Sequence, residues 1–101
     1  MDPAIPNIID ISDVVVSTAG RDQGSLYYVI STDEMFLMLV NGKDRTLDKP
    51  KRKKRRHVQK VLRSETRVAA KLISGDKVLN SELRRDLAYI AREMQANNLG
   101  G

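Results

Sequence analysis

The chain has no cysteine and no tryptophan in its 101 residues, a single histidine, and only four aromatic side chains, Tyr27, Tyr28, Phe36 and Tyr89. Without cysteine there is no disulfide framework and no thiolate zinc site, which excludes the small secreted scaffolds that depend on them. One histidine leaves no His-rich metal cluster and no ready Ser-His-Asp set. No apolar run approaches the roughly 20 residues that span a bilayer. The first residues, MDPAIPNIID, are acidic and lack the basic start of a secretion signal. These absences lead to the expectation of a small soluble, cytoplasmic protein with no membrane partner, cofactor, metal or small-molecule substrate.

What the chain has is positive charge in one place. The formal net charge is +5. Residues 43–67 carry 12 Lys/Arg against 3 Asp/Glu, a balance of +9, and the remainder carries 6 against 10, a balance of −4. At the centre lies the unbroken run Lys51, Arg52, Lys53, Lys54, Arg55, Arg56, followed by His57. Adjacent cations repel one another unless a polyanion or counterions lie close by. Three readings compete: a solvated loop, a nuclear-localisation patch, and a phosphate-binding surface. The last is preferred, because Lys and Arg displace condensed counterions from a nucleic-acid backbone.

Around this run the texture is that of short strands. Residues 1–8, with two prolines, read as a loose arm. Val14, Val15 and Val16, followed by Ser17 and Thr18, favour a first strand. The segment Ala19-Gly20-Arg21-Asp22-Gln23-Gly24 reads as a loop whose glycines supply positive φ. Leu26 to Ser31 is a second strand, Thr32-Asp33-Glu34 a turn, and Met35 to Val40 a third strand. Asn41-Gly42 is a strong hairpin signal of type I′, predicting a fourth strand over Lys43 to Leu47. The basic run then falls in a loop, 49–57, and His57 to Leu62 closes a fifth strand. Five short strands with tight turns suggest a small barrel over 9–62.

Residues 63–101 form a helical extension. Glu65 to Ile73 is a short helix ended by Ser74-Gly75. Asn80 or Ser81 caps a second, with Glu82 in its first turn. Leu83, Leu87, Ile90, Ala91 and Met94 make one apolar stripe, expected to pack on the barrel, and Asn97 to Gly101 is expected to fray.

Val14-Val15-Val16-Ser17-Thr18-Ala19-Gly20-Arg21-Asp22-Gln23-Gly24 resembles a KOW motif, with Gly24 at its characteristic glycine. Leu39-Val40-Asn41-Gly42-Lys43, Arg45-Thr46-Leu47 and Pro50-Lys51 continue the likeness over roughly residues 11–62. The chain is similar there to bacterial KOW-domain proteins resembling large-subunit ribosomal proteins of the fourteen-e and six-e type. The resemblance implies an SH3-like barrel that binds ribosomal RNA, with ribosomal proteins as neighbours. The fold class is thus mainly β with an α tail: an SH3-like barrel followed by two short helices.

Candidate RNA contacts follow from the cations. Arg21 sits between Gly20 and Gly24, whose small size lets backbone approach a phosphate. Ser17 and Thr18 offer hydroxyls. Lys43 and Arg45 flank the Asn41-Gly42 turn, and Lys49, Lys51, Arg52, Lys53, Lys54, Arg55, Arg56, His57 and Lys60 form the main patch. The first loop and the basic loop are expected at one end of the barrel. Tyr27 and Tyr28 point to opposite faces, one to the core and one outward, Phe36 to the core, and Tyr89 outward or into helix packing. With no ladder of rings, folded RNA read through phosphates is favoured over single strands. His57 has no visible nucleophile or base beside it, and no GK[ST] follows the glycines, so no enzyme is expected. The competing uses are a KOW module that docks on a protein of the transcription or translation machinery through the helical tail, and a general nucleic-acid binder including DNA.

Overall fold

The valine-rich segment Val14 to Val16 does form a strand, and it takes an interior place in the sheet. The computed structural model describes residues 8–100. The strands are β1 (Asp13–Ser17), β2 (Leu26–Thr32), β3 (Phe36–Val40), β4 (Lys51–Lys54) and β5 (Val58–Arg63). A single 3-10 turn, Arg55–His57, joins β4 to β5, and the helices α1 (Arg67–Ser74) and α2 (Asn80–Gly100) follow. All neighbours are antiparallel, in the order β4-β3-β2-β1-β5. No β4–β5 ladder joins the two ends among the described residues. Of the expected arm, residues 1–7 lie outside the described residues, as does Gly101.

Two irregularities bend this sheet. The β1–β5 register shifts between Val14 and Val15, and the β2–β3 register shifts between Val29 and Ser31. Bulges of this kind increase local twist and bend the strand. One side of the sheet gathers Ile9, Val15, Tyr27, Val29, Leu37 and Leu39, with Val58 packed against them. The opposite side presents Val14, Tyr28 and Val40 to Val68 and Ala69 of α1, to Val78, and to Leu83, Leu87 and Ile90 of α2. Each large buried apolar side chain contributes roughly 1.5–3 kcal/mol, which fastens α2 to the sheet. Because both sides are covered, Tyr27 and Tyr28 are both buried, where one was expected outside.

The helices begin and end on local chemistry. Thr66 caps α1 by accepting the Ala69 N–H at 3.2 Å, and Gly75, at φ +81°, ends it. At the start of α2, Glu82 accepts the Leu79 N–H at 2.9 Å and the Lys71 ammonium at 2.9 Å. The expected cap Asn80 is used elsewhere: its side-chain oxygen accepts the Leu47 N–H at 3.1 Å. The second helix is not short. It spans 21 residues and continues through Gly100, where fraying was expected.

The largest departures lie between Val40 and Val58. Lys43 to Leu47 is not a strand, and Asn41-Gly42 is not a two-residue hairpin. Asn41 Oδ1 accepts the N–H groups of Lys43 and Arg45, while the Arg45 carbonyl accepts those of Asn41 and Gly42. The segment closes on itself and has these groups no longer free for a ladder. Gly42, at φ +78°, sits against the Asn80 carbonyl, leaving no room for a Cβ. The fourth strand is instead the basic run itself, so the expected loop 49–57 is a strand and a 3-10 turn beyond Pro50. Four cations oppose the usual strand preferences, but an edge position tolerates them.

Candidate nucleic-acid interface

The β1–β2 loop is built around Asp22. Gly20 and Gly24 both have positive φ, +87° and +93°, and the Gly24 N–H returns to the Ser17 carbonyl at 2.8 Å. The turn aims the Asp22 carboxylate at β4. It accepts Lys53 Nζ at 2.7 Å, Tyr27 Oη and Ser17 Oγ at 2.9 Å, and Lys51 Nζ at 3.1 Å. Lys53 Nζ also donates to the Ala19 carbonyl at 2.7 Å. Burial disfavours the charged carboxylate, yet the hydrogen bonds from Lys53, Tyr27, Lys51 and Ser17 outweigh it and hold Asp22 well below the usual carboxylate range. Burial and the Asp22 charge push the Tyr27 phenol above its ordinary value.

This arrangement brings the first loop against Lys51 and Lys53 of β4, whereas Arg55, at the far end of that strand, lies against the β2–β3 turn. It also removes members from the candidate set. Lys53 is only 8% exposed, and its ammonium is committed to the loop. Lys51 shares Asp22, and Lys60 pairs with buried Asp13 at 3.2 Å. Ser17 is buried with its hydroxyl used internally, whereas Thr18 is exposed. The positive φ of Gly20 and Gly24 serves the turn.

The other cations divide between the two sides of β4 and its flanking segments. Arg21 is exposed on the loop tip and borders a cleft of about 340 Å³ with Asp22, Ser25, Tyr27, Asp44, Arg45 and Lys51. Across that cleft, a hydrogen bond from Asn41 holds the Asp44 carboxyl below its ordinary value, with Arg45 and Lys43 adding to the effect. Lys43 and Lys49 are exposed on the segment between β3 and β4. Arg52 and Lys54 point to the opposite side of β4 from Lys51 and Lys53. Beyond them, Arg55 Nε donates to the Asp33 carbonyl at 2.8 Å, and Arg56 is exposed. Arg55 and Arg56 border two further hollows, one of about 280 Å³ with Glu34, Met35 and Lys54, the other of about 480 Å³ with Ile9, Val58 and Lys60. The His57 carbonyl accepts the Thr18 N–H at 2.8 Å, tying the 3-10 turn to the end of β1.

Two features escape the sequence reading. Phe36 is half-buried rather than core, with the Arg52 guanidinium carbon 3.6 Å from its ring centroid. A polar knot joins sheet and helices: Tyr28 Oη and Thr66 Oγ1 each donate to Asp86 Oδ2 at 2.6 Å. Since the single phenol proton goes to Asp86, Ser64 Oγ donates to Tyr28 Oη at 2.8 Å. Burial first, and the Asp86 carboxylate second, push the Tyr28 phenol up to about 12. Partners 58 residues apart leave no local signal.

Among the described residues, no group of three or more His, Cys, Asp or Glu side chains is placed to hold a metal ion. No helix there is long and apolar enough to cross a membrane. No protein-family model matches the chain, and no curated protein sequence matches it significantly.

Proposed function

We propose that this protein binds folded RNA through backbone phosphates, with ribosomal RNA the partner that the resemblance to KOW proteins implies, and that its sheet is an SH3-like barrel. The barrel reading is supported by the strand order, the two bulges, the buried apolar cluster and the 3-10 turn between β4 and β5. The observation that carries the RNA reading is what internal pairing leaves over. With Lys51, Lys53 and Lys60 engaged by Asp22 and Asp13, the set of Arg21, Arg45, Arg52, Lys54 and Arg56 has no carboxylate within ion-pair distance among the described residues. Cations held by rigid strands and tight turns match phosphates at fixed spacing, the contact by which proteins grip an A-form helix.

Burial of Leu83, Leu87 and Ile90 of α2 against the sheet favours this reading over protein docking through that apolar stripe. The test is a salt titration of binding to a structured RNA. Neutralising ~5 phosphates gives a slope of log K against log salt of about −4.5. A slope near zero, or no binding at low salt, rejects the reading. Crosslinking in cells, with sequencing of the attached RNA, then decides the partner. Reads concentrated on one stretch of large-subunit RNA support ribosome association, and reads scattered with abundance reject it.

A further inference from the structure

The helix-bearing side of the sheet is not covered everywhere. Helices α1 and α2 shield Val14, Tyr28 and Val40. Phe36 and Met38 lie on the same side of β3, yet belong to neither core cluster and remain half-exposed. The β3–β4 register sets Arg52 beside Met38 and Lys54 beside Phe36, all four pointing outward.

The position of Arg52 over Phe36 fixes its orientation. The guanidinium carbon is 3.6 Å from the ring centroid. A delocalised C–N bond is about 1.3 Å long, so a guanidinium standing on edge would bring one nitrogen to about 2.3 Å from the ring centre, or a pair of nitrogens to about 3.0 Å above the ring, inside van der Waals contact in both cases. The plane must therefore lie close to flat on the ring. One face of the guanidinium rests on Phe36, Arg52 as a residue is exposed, and Lys54 stands opposite Phe36 on β4 and supplies a charge alongside.

Resting on the RNA reading above, we infer that the Arg52–Phe36 stack is a platform for an unpaired base, so that the ligand is a structured RNA carrying a bulged or looped-out nucleotide next to its helical phosphates. Bases stack on arginine planes as they do on aromatic rings, and a single exposed stack suits one extruded base. The ring beneath holds the guanidinium flat through a cation–π contact. The outward cations grip the flanking backbone while the stack adds preference for the bulge.

The test uses the full chain and two RNA hairpins, identical except that one carries a single bulged 2-aminopurine. The expected result is at least about fivefold tighter binding to the bulged hairpin, with its fluorescence quenched on binding. Arg52→Lys keeps the charge and removes the plane. It is expected to abolish both the preference and the quenching while leaving the salt slope and the melting temperature unchanged. Equal binding of both hairpins by the original protein, with a steep salt slope, overturns the platform and leaves the phosphate reading standing. Failure to bind either hairpin at low salt overturns both. Retained quenching in Arg52→Lys overturns the role of Arg52. Capture of an acidic peptide by this face in competition with the bulged hairpin would make it a protein-docking surface and likewise overturn the inference.

Discussion

Lys53 reaches from β4 to the β1–β2 loop and places its ammonium 2.7 Å from Asp22 Oδ1, with both side chains largely shielded from water. The pair is asymmetric. Asp22 keeps Lys51, Tyr27 and Ser17 if Lys53 is lost, whereas Lys53 keeps only the Ala19 carbonyl if Asp22 is lost. Asp22→Ala should therefore cost about 3 kcal/mol, in the range for breaking a buried pair. Lys53→Ala should cost roughly 1–2 kcal/mol, since its partner stays satisfied. Urea unfolding of the two variants checks the order, and a larger loss for Lys53→Ala would refute it.

Acid should act through the same carboxylate. The Asp22 pKa is lowered on folding, so its contribution is complete above the ordinary value of 3.8 and is lost progressively as pH falls below it. Stability measured from pH 6 downward should fall less steeply in Asp22→Asn than in the original protein. At the alkaline end the sign reverses. Tyr28 is raised from 10.0 to about 12, so what it contributes is present below pH 10 and disappears as pH climbs through 12. Tyr28→Phe should lose about 1–2 kcal/mol at neutral pH and show a flatter alkaline limb.

The two sides of β4 should separate stability from binding. Arg52→Ala, Lys54→Ala and Arg56→Ala together remove outward charge and no ion pair among the described residues. The melting temperature should barely move, and the salt slope for RNA should flatten by about 3. Lys53→Ala should do the reverse, lowering the melting temperature with little change in slope. A triple variant that unfolds would show that the whole run is architectural.

Glycines 24 and 42 share a backbone conformation but not a neighbourhood. A Cβ at Gly24 meets open space, while one at Gly42 would press on the Asn80 carbonyl and Leu83 at the start of α2. Gly24→Ala should cost about 1 kcal/mol of backbone strain. Gly42→Ala adds a backbone clash and should cost at least about 3 kcal/mol. Thermal melts of the two variants check the difference, and equal losses would refute the close approach of Gly42 to α2.

Four strands and both helices were legible because their signals are local. Val14 to Val16 are β-branched, Leu26 to Ser31 is rich in Tyr, Val and Ile, and Leu83, Leu87 and Ile90 recur at helical spacing. β4 was not legible, because four consecutive cations look like a solvated loop. What makes them a strand is non-local: pairing with β3, and for Lys53 a carboxylate 31 residues away. The Asn41-Gly42 signal misled for a related reason. Local turn preference gave way to contact between Gly42 and α2. The candidate site was legible as a region, whereas its division into paired and outward cations depends on which way each alternate side chain points.

The position of β4 at the end of the sheet also governs how copies of the chain meet. Its outer backbone edge has no ladder partner among the described residues, and such an edge invites pairing with another strand. Two β4 edges in antiparallel register would bring Arg52 and Lys54, which no carboxylate pairs among the described residues, onto strands about 4.8 Å apart. Like charges directly opposite destabilise a strand pair, so mutual repulsion keeps the molecules apart unless a polyanion lies between them. The segment richest in charge thus acts as a spacer between neighbouring molecules.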